Sequence, residues 1–351
     1  MTEGFSKYKR AILFSGGGTR FGIYCGMYAF LEDNGLKPDL IIASCGGSMA
    51  ATIISRFHDN IERKAYLQSE ELYHYVSSPQ LTAQKKLYRL GGYCLRKLCE
   101  HRKAPIIEDV FNRYLVELPQ TLDEVFPSLA VTSDQHVPTV IIGSEILFSP
   151  GDAGKKRKDR KLYRKVIFTD RNTAGLISRT DINISTNDYR HSAVDEQIEI
   201  RTGVPLLTAS RISVSDMFYV PPVHIDGKYY AGGAIDLVPV ELAEALADEV
   251  IVEKKQRYTS IEEALVRSVL GYSGNKRLED IKQATRHQGI DTTDAAKILR
   301  TYSVSKHIDW KRMEIILNCP RDYNRFVHDM EMQWQYGYRK AKEFIIQKTK
   351  P

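Results

Sequence analysis

No apolar run in this chain approaches the roughly 20 residues that a membrane-spanning helix requires, and the stretch MTEGFSKYKR lacks the apolar core of a secretory signal. A cytoplasmic protein is expected. Cysteine is scarce and unpaired: Cys25, Cys45, Cys94, Cys99 and Cys319 are an odd number with no C-x-x-C spacing. That pattern argues against a disulfide framework and against a zinc site, and no metal or cofactor is expected. The glycine-rich segment near the start has neither the G-K-[ST] ending of a P-loop nor the G-x-G-x-x-G spacing of a dinucleotide fold. Internal repeats and low-complexity linkers are also missing, so residues 1–351 are read as one domain.

What is present is the composition of a soluble globular protein, with 42% apolar and 27% charged residues over a length sufficient for a substantial core. The net charge of +6 is uneven. Lys155, Lys156, Arg157, Lys158, Arg160, Lys161, Arg164 and Lys165 are opposed locally by Asp159 alone. The six from Lys155 to Lys161 are candidates for contact with an anionic membrane surface, where each such residue contributes ~1 kcal/mol; the plain alternative is a solvated loop. Nucleic acid is not expected, because no interleaved aromatics accompany the charges.

Chemical information concentrates in Pro38–Thr52, PDLIIASCGGSMAAT. Leu40–Ala43 reads as a buried strand, Ser44–Ser48 as a very tight turn and Met49 onward as helix. This is the outline of a nucleophile elbow, in which small residues let a strained strand-to-helix turn hold one reactive side chain above a sheet. The five-residue turn falls on Ala43, Ser44, Cys45, Gly46 and Gly47, with Cys45 at its centre. A rival register centred on Ser44 would put bulky Ile42 where the turn needs a minimal side chain. A buried, inert cysteine is the other reading of this stretch.

Upstream, Tyr8–Phe14 reads as a strand, Ser15–Gly18 as a glycine-rich turn and Thr19 onward as a helix stopped at Gly35. Strand, turn, helix, strand, elbow, helix predicts a parallel sheet covered by helices. The glycine turn offers backbone N–H groups to an anion, so a phosphate cradle is a second reading. Residues 59–129 read as a mainly helical, aromatic-rich insertion able to cover an apolar site. Thr139–Ile146 and Lys165–Thr169 read as strands flanking the basic loop, and Phe168–Tyr189 as polar and irregular. Asp226-Gly227 predicts a hairpin between Val223–Ile225 and Lys228–Tyr230. A helix is expected at Val240–Leu246, a strand at Val250–Glu253, a strand around Met313–Leu317 and an amphipathic helix at about Arg325–Ile346. These place the core at about residues 8–255 and a carboxyl-terminal extension at about 256–351.

Three segments in one order, SGGGTRFG, ASCGGS and YYAGGAIDLVPV, together resemble the patatin-like phospholipases, whose marks are a G-G-G-x-[RK] loop, a G-x-S-x-G elbow and a D-G-[GA] segment. The run from Ala209-Ser210 to Pro222 also resembles the family's approach to D-G-G. The resemblance covers roughly residues 8–250. It implies a three-layer α/β/α fold with a mainly parallel sheet, and a lipid acyl hydrolase with a Ser-Asp dyad, active in lipid degradation without a cofactor. It further implies that Gly16, Gly17 and Gly18, with Gly46, form the oxyanion hole, each donor worth about 2.7–4 kcal/mol. Arg20, Gly47, Gly232 and Gly233 would support them.

The chain departs from that pattern at both dyad positions, with Cys45 for the serine and Ala231 for the aspartate. Phe21 and Ala43 also replace customary glycines. A cysteine is competent there, since a helix amino terminus favours the thiolate and a free thiol is already a few per cent ionised at neutral pH. With Ala231 the form in hand is expected to be impaired and to stall as a thioester. Three accounts of Ala231 stand: an alanine installed to remove a side chain, a natural non-hydrolytic relative, or a base supplied by Asp226, Asp236 or His224. The expected function is acyl hydrolysis or transfer on a lipid ester or acyl thioester. The alternatives are a catalytically dead lipid-binding scaffold and a nucleotide-binding protein.

Overall fold

The computed structural model describes residues 6–99, 103–130, 136–180, 191–284 and 289–349. Its strands are, in chain order, β1 Tyr8–Phe14, β2 Leu40–Ser44, β3 Gln80–Leu81, β4 Val116–Glu117, β5 Thr139–Ile146, β6 Tyr163–Thr169, β7 Val194–Thr202, β8 Val223–Ile225, β9 Lys228–Ala231, β10 Ala247–Lys254, β11 Gly289–Asp291, β12 Ser305–Asp309 and β13 Glu314–Asn318.

One sheet runs β11-β10-β1-β2-β5-β6-β7. Its pairs from β11 to β5 are parallel, β5–β6 is antiparallel, and β6–β7 is parallel again. The strand alternation of period two sorts the apolar residues into two layers. Ile12, Phe14, Ile41 and Ala43 face one helical layer, whereas Ala11, Leu13, Leu40 and Ile42 face the other. Both faces of β1 and β2 are therefore covered, which explains their unbroken apolar runs. The result is a mixed, mostly parallel sheet between helices, as in the expected three-layer arrangement.

The first layer contains α1 (Phe21–Asp33), α2 (Gly46–Arg56) and the long helix Tyr323–Thr349. Helix α1 is buried on nearly every side because the carboxyl-terminal helix lies directly against it. Two glycines permit that approach: a Cβ at Gly26 would overlap the Trp334 carbonyl oxygen, and one at Gly337 would overlap the Ile23 carbonyl oxygen. The extension is thus packed into the same core as β1.

The edge of β5 has two successive partners. Residues 139–142 pair with β2, and residues 144–146 pair with β9 in the antiparallel sense. Where β2 stops and turns into the elbow, β9 takes over the vacated edge. This register brings the segment after β9 to the elbow and matches the hairpin predicted at Asp226-Gly227, whose two turn residues both have positive φ.

Two regions differ from their sequence reading. The insertion is helical at Asn60–Leu67, Glu70–Ser77 and Leu87–Cys99, but residues 103–126 are largely irregular and include β4. Within Phe168–Tyr189, a helix forms at Arg171–Arg179 because the Asp170 side chain accepts hydrogen bonds from the Asn172 and Thr173 amides at its start. Residues 181–190 of that stretch lie outside the described residues.

The basic loop also differs. Arg157 is turned inward and donates to the carbonyl oxygens of Ala104, Arg160, His191 and Ser192. Lys155 and Arg160 share Asp152, and the Lys161 ammonium donates to the Ser192 carbonyl. Arg157 is a loop anchor and is removed from the candidate membrane contacts. Lys156 and Lys158 are exposed.

Candidate active site

Cys45 stands between β2 and α2 with φ 50° and ψ −130°. Such a conformation costs a non-glycine residue ~1–3 kcal/mol and persists only where its surroundings hold it. Here they do. The Cys45 amide donates to Ser213 Oγ at 2.8 Å, Ser213 Oγ in turn donates to the Ile142 carbonyl at 2.6 Å, and the Cys45 carbonyl accepts from both the amide and the hydroxyl of Ser48. Ser44, centre of the rival register, is fully buried at the end of β2 and donates to the Asp236 carbonyl. It points away from any reactive role.

The glycine loop packs against this turn. A Cβ at Gly46 would overlap the Gly18 backbone, and one at Gly47 would overlap the Phe14 carbonyl oxygen. At Gly16 an added Cβ would lie 3.1 Å from Cys45 Cβ and 3.3 Å from Cys45 Sγ, so Gly16 is immediately beside the thiol. Gly17 is next to the Tyr24 hydroxyl. That hydroxyl donates to the Ser15 carbonyl, while Ser15, Tyr24 and Thr292 all donate to the buried Glu253 carboxylate. The root of the glycine loop is thereby tied to the ends of β10 and β11. Beyond the loop lies a cavity of about 260 Å³ lined in part by Gly16, Gly17, Arg20, Leu237, Lys255 and Tyr258.

The carboxylate that reaches Cys45 belongs to Asp216. Asp216 lies near enough to the thiol for its charge to act on it, and the Ala234 amide donates to Asp216 Oδ1 at 3.2 Å. Asp216 sits in the turn after the helix Leu206–Ser213, and its carbonyl accepts from the amides of Tyr219 and Val220. Fully buried Arg211 clamps that turn by donating to Ser215 Oγ and to the carbonyls of Pro119 and Pro221. Gly232 backs the carboxylate so closely that any Cβ would collide with Asp216 Oδ1, and Gly233 lies against Ser213 and Ser44.

Position 231, where the resemblance places the family's aspartate, has apolar surroundings. Ala231 is 1% exposed, pairs with Ser144 across the β5–β9 ladder, and directs its methyl into the apolar cluster containing Ile142 and Ile235. The three replacement candidates are also elsewhere. Asp226 is in the exposed hairpin turn, 3.0 Å from Arg201. His224 is exposed on β8 against the Tyr229 ring. Asp236 is buried in ion pairs with Lys165 and Arg277, which hold its carboxyl below the usual range despite burial. Asp216 follows the helix Leu206–Ser213 within the run from Ala209 to Pro222, and no local motif in the sequence marks it.

The charges at the site also differ from expectation. Burial pushes the Cys45 thiol well above its ordinary pKa, and the neighbouring Asp216 charge pushes it further; the Gly46 amide and Lys255 pull it down by less. Burial likewise raises the Asp216 carboxyl to about 6, against the smaller lowering effects of Cys45, Ala234 and Lys255. At neutral pH the pair is a neutral thiol beside a carboxylate. The helix end does not produce a resting thiolate, because desolvation and the neighbouring negative charge outweigh it.

A family model described as patatin-like phospholipase matches residues 12–244. Comparison with curated proteins finds no match. Among solved structures, the crystal structure of VipD from Legionella pneumophila aligns over 97% of this chain and 67% of its own, at 10% identity and a TM-score of 0.37. The family match spans the glycine loop, the elbow, the Asp216 turn and the hairpin alike, and on that basis the chain belongs to the patatin-like phospholipase family.

Proposed function

We propose that this protein is an acyl hydrolase or acyltransferase working through a Cys45–Asp216 pair on a lipid ester or an acyl thioester. The observation that carries the reading is a carboxylate close to the thiol at a strained strand-to-helix turn, with a glycine loop packed against that turn. Asp216 takes the thiol proton as sulfur attacks the acyl carbonyl. The oxyanion that forms is met by amides of the Gly16–Gly18 loop and Gly46. Collapse expels the leaving alcohol or thiol, which takes the proton back from Asp216 and leaves a Cys45 thioester. Asp216 then deprotonates water or another acyl acceptor for the second attack. With this carboxylate in place, the loss of an aspartate at position 231 no longer implies stalling.

Intact-protein mass after mixing with acyl thioesters and phospholipids tests the proposal. The expected result is a transient acyl adduct on the unaltered chain, none on Cys45→Ala, and slow formation on Asp216→Asn. Lipid bound without any adduct, in every form, would make the chain a binding protein.

A further inference from the structure

The β12–β13 hairpin carries an exposed aromatic and basic tip that the candidate site does not use. Its turn holds Trp310, 70% exposed, and Met313, 50% exposed with φ 51°, separated by Lys311 and Arg312. A second strip of chain adjoins it: Lys86 bridges to Glu314, and the Leu87 amide donates to the Met313 carbonyl, which puts Tyr88, 73% exposed, beside the tip. A single exposed apolar group is ordinary, and Ile61 is more exposed than any of these; what sets this place apart is that three lie along two adjoining strips of chain.

Their surroundings are basic. Lys85 and Lys86 pair with Glu314 and Arg312 pairs with Asp309, while Arg89, Lys306 and Lys311 add three further positive charges to the two strips. Arg89 lies over the Tyr88 ring. Tryptophan and tyrosine with lysine and arginine around them is the composition that settles at a lipid–water boundary, where rings enter the headgroup layer and cations meet anionic lipid.

The hairpin also adjoins the site. Ile315 and Leu317 pack on a small cluster shared with Tyr219, and the Lys306 ammonium lies 4.9 Å from the centre of the Tyr219 ring. Tyr219 is in the Asp216 turn, where its amide donates to the Asp216 carbonyl at 2.9 Å. A five-residue strand spans roughly 17 Å, so the tip stands within that reach of the turn.

We propose that the hairpin tip, with Tyr88, is a docking surface for an anionic lipid bilayer that brings the membrane to the Cys45 side of the molecule. The surface stands on its own observations; only the statement that it delivers substrate rests on the proposed acyl chemistry. The basic loop at 155–161 contains no aromatic residue.

The test uses the full chain with Cys45→Ala, to prevent turnover, and vesicles of phosphatidylcholine alone or mixed with phosphatidylglycerol. Because Trp334 is buried, a change in tryptophan emission reports mainly on Trp310. Mixed vesicles should shift the emission to the blue, and brominated acyl chains should quench it. Trp310→Ser with Met313→Ser, and separately Lys311→Glu with Arg312→Glu, should each lower vesicle partitioning on the order of tenfold, the charge effect weakening in salt. On the Cys45 background, both variants should slow reaction with substrate lodged in vesicles while leaving a soluble short-chain thioester unaffected. Unchanged partitioning in both variants would overturn the proposal, as would binding of soluble heparin or an acidic protein without binding of vesicles. Equal loss on the soluble thioester would also overturn it, since the hairpin would then be supporting the site itself. Vesicle binding is read without catalysis, so failure of the acyl chemistry would leave this result standing.

Discussion

Two aspartates close to the elbow have opposite environments. Asp236 is met by Lys165 and by Arg277, and its carboxyl is held below the ordinary range. Asp216 has a thiol, one backbone amide and the more distant charge of Lys255, and its carboxyl rises to about 6. The first is an ion paired with two cations, one of its oxygens hydrogen-bonded by Lys165 and the other left without a hydrogen-bond partner among the described residues, and it ties β6 to the segment after β9. The second is an ion kept with too little compensation, which is what a base acting near neutral pH requires. Desolvation raises both; the number of cations within reach decides that one carboxyl ends below the ordinary range and the other above it.

The largest expected effect breaks this contrast from the reactive side. Asp216→Asn should lower Cys45 acylation by about 10²–10⁴-fold, the range of a positioned base, in single-turnover assays. The same change removes a poorly compensated charge, so the melting temperature at pH 8 should rise or hold steady. A matching fall in both would show that Asp216 is structural.

Asp236→Ala should do the reverse. It strands Lys165, which is 6% exposed at its side chain, and should cost about 3–5 kcal/mol in urea unfolding. Ala231→Asp is expected to cost a few kcal/mol as well, because it places a carboxylate in an apolar cluster, and to add nothing to turnover. A gain in turnover would return the base to position 231.

The pH dependences should run in opposite directions. Asp236 has a depressed native pKa, so its contribution to stability is present above the unfolded pKa near 3.9 and is lost as pH falls through the native value. Asp216 has a raised one, so the native state holds that proton more tightly, and its relative stabilisation is lost as pH rises from about 4 to about 6. Acylation should show an acid limb near pH 6 that disappears in Asp216→Asn. The smallest change, Ser213→Ala, should cost about 1 kcal/mol by removing the partner of the Cys45 amide, and should slow acylation by loosening the turn.

Much of the fold was legible because it is written in local patterns. The apolar runs of β1 and β2, the glycine turn between them and the small residues around Cys45 each restrict the backbone within a few positions, and the hairpin at Asp226-Gly227 follows from its two turn residues. The helix at Arg171–Arg179 was not legible in a polar stretch, since its capping aspartate and buried Thr173 and Ile177 matter only against the neighbouring sheet. The inward turn of Arg157 was equally hidden, as its partners come from residues 104 and 191–192.

The sequence by itself determined the elbow and its central thiol, because a strained turn between a buried strand and a helix requires small neighbours wherever the rest of the chain goes. Tertiary structure alone decided which carboxylate meets that thiol. Seating β9 on the edge of β5 turns Ala231 into the core, while the Arg211-clamped turn carries Asp216 to Cys45. The same long-range packing sets the charge of the pair, since desolvation depends on every chain segment that surrounds it and not on the residues beside it in sequence.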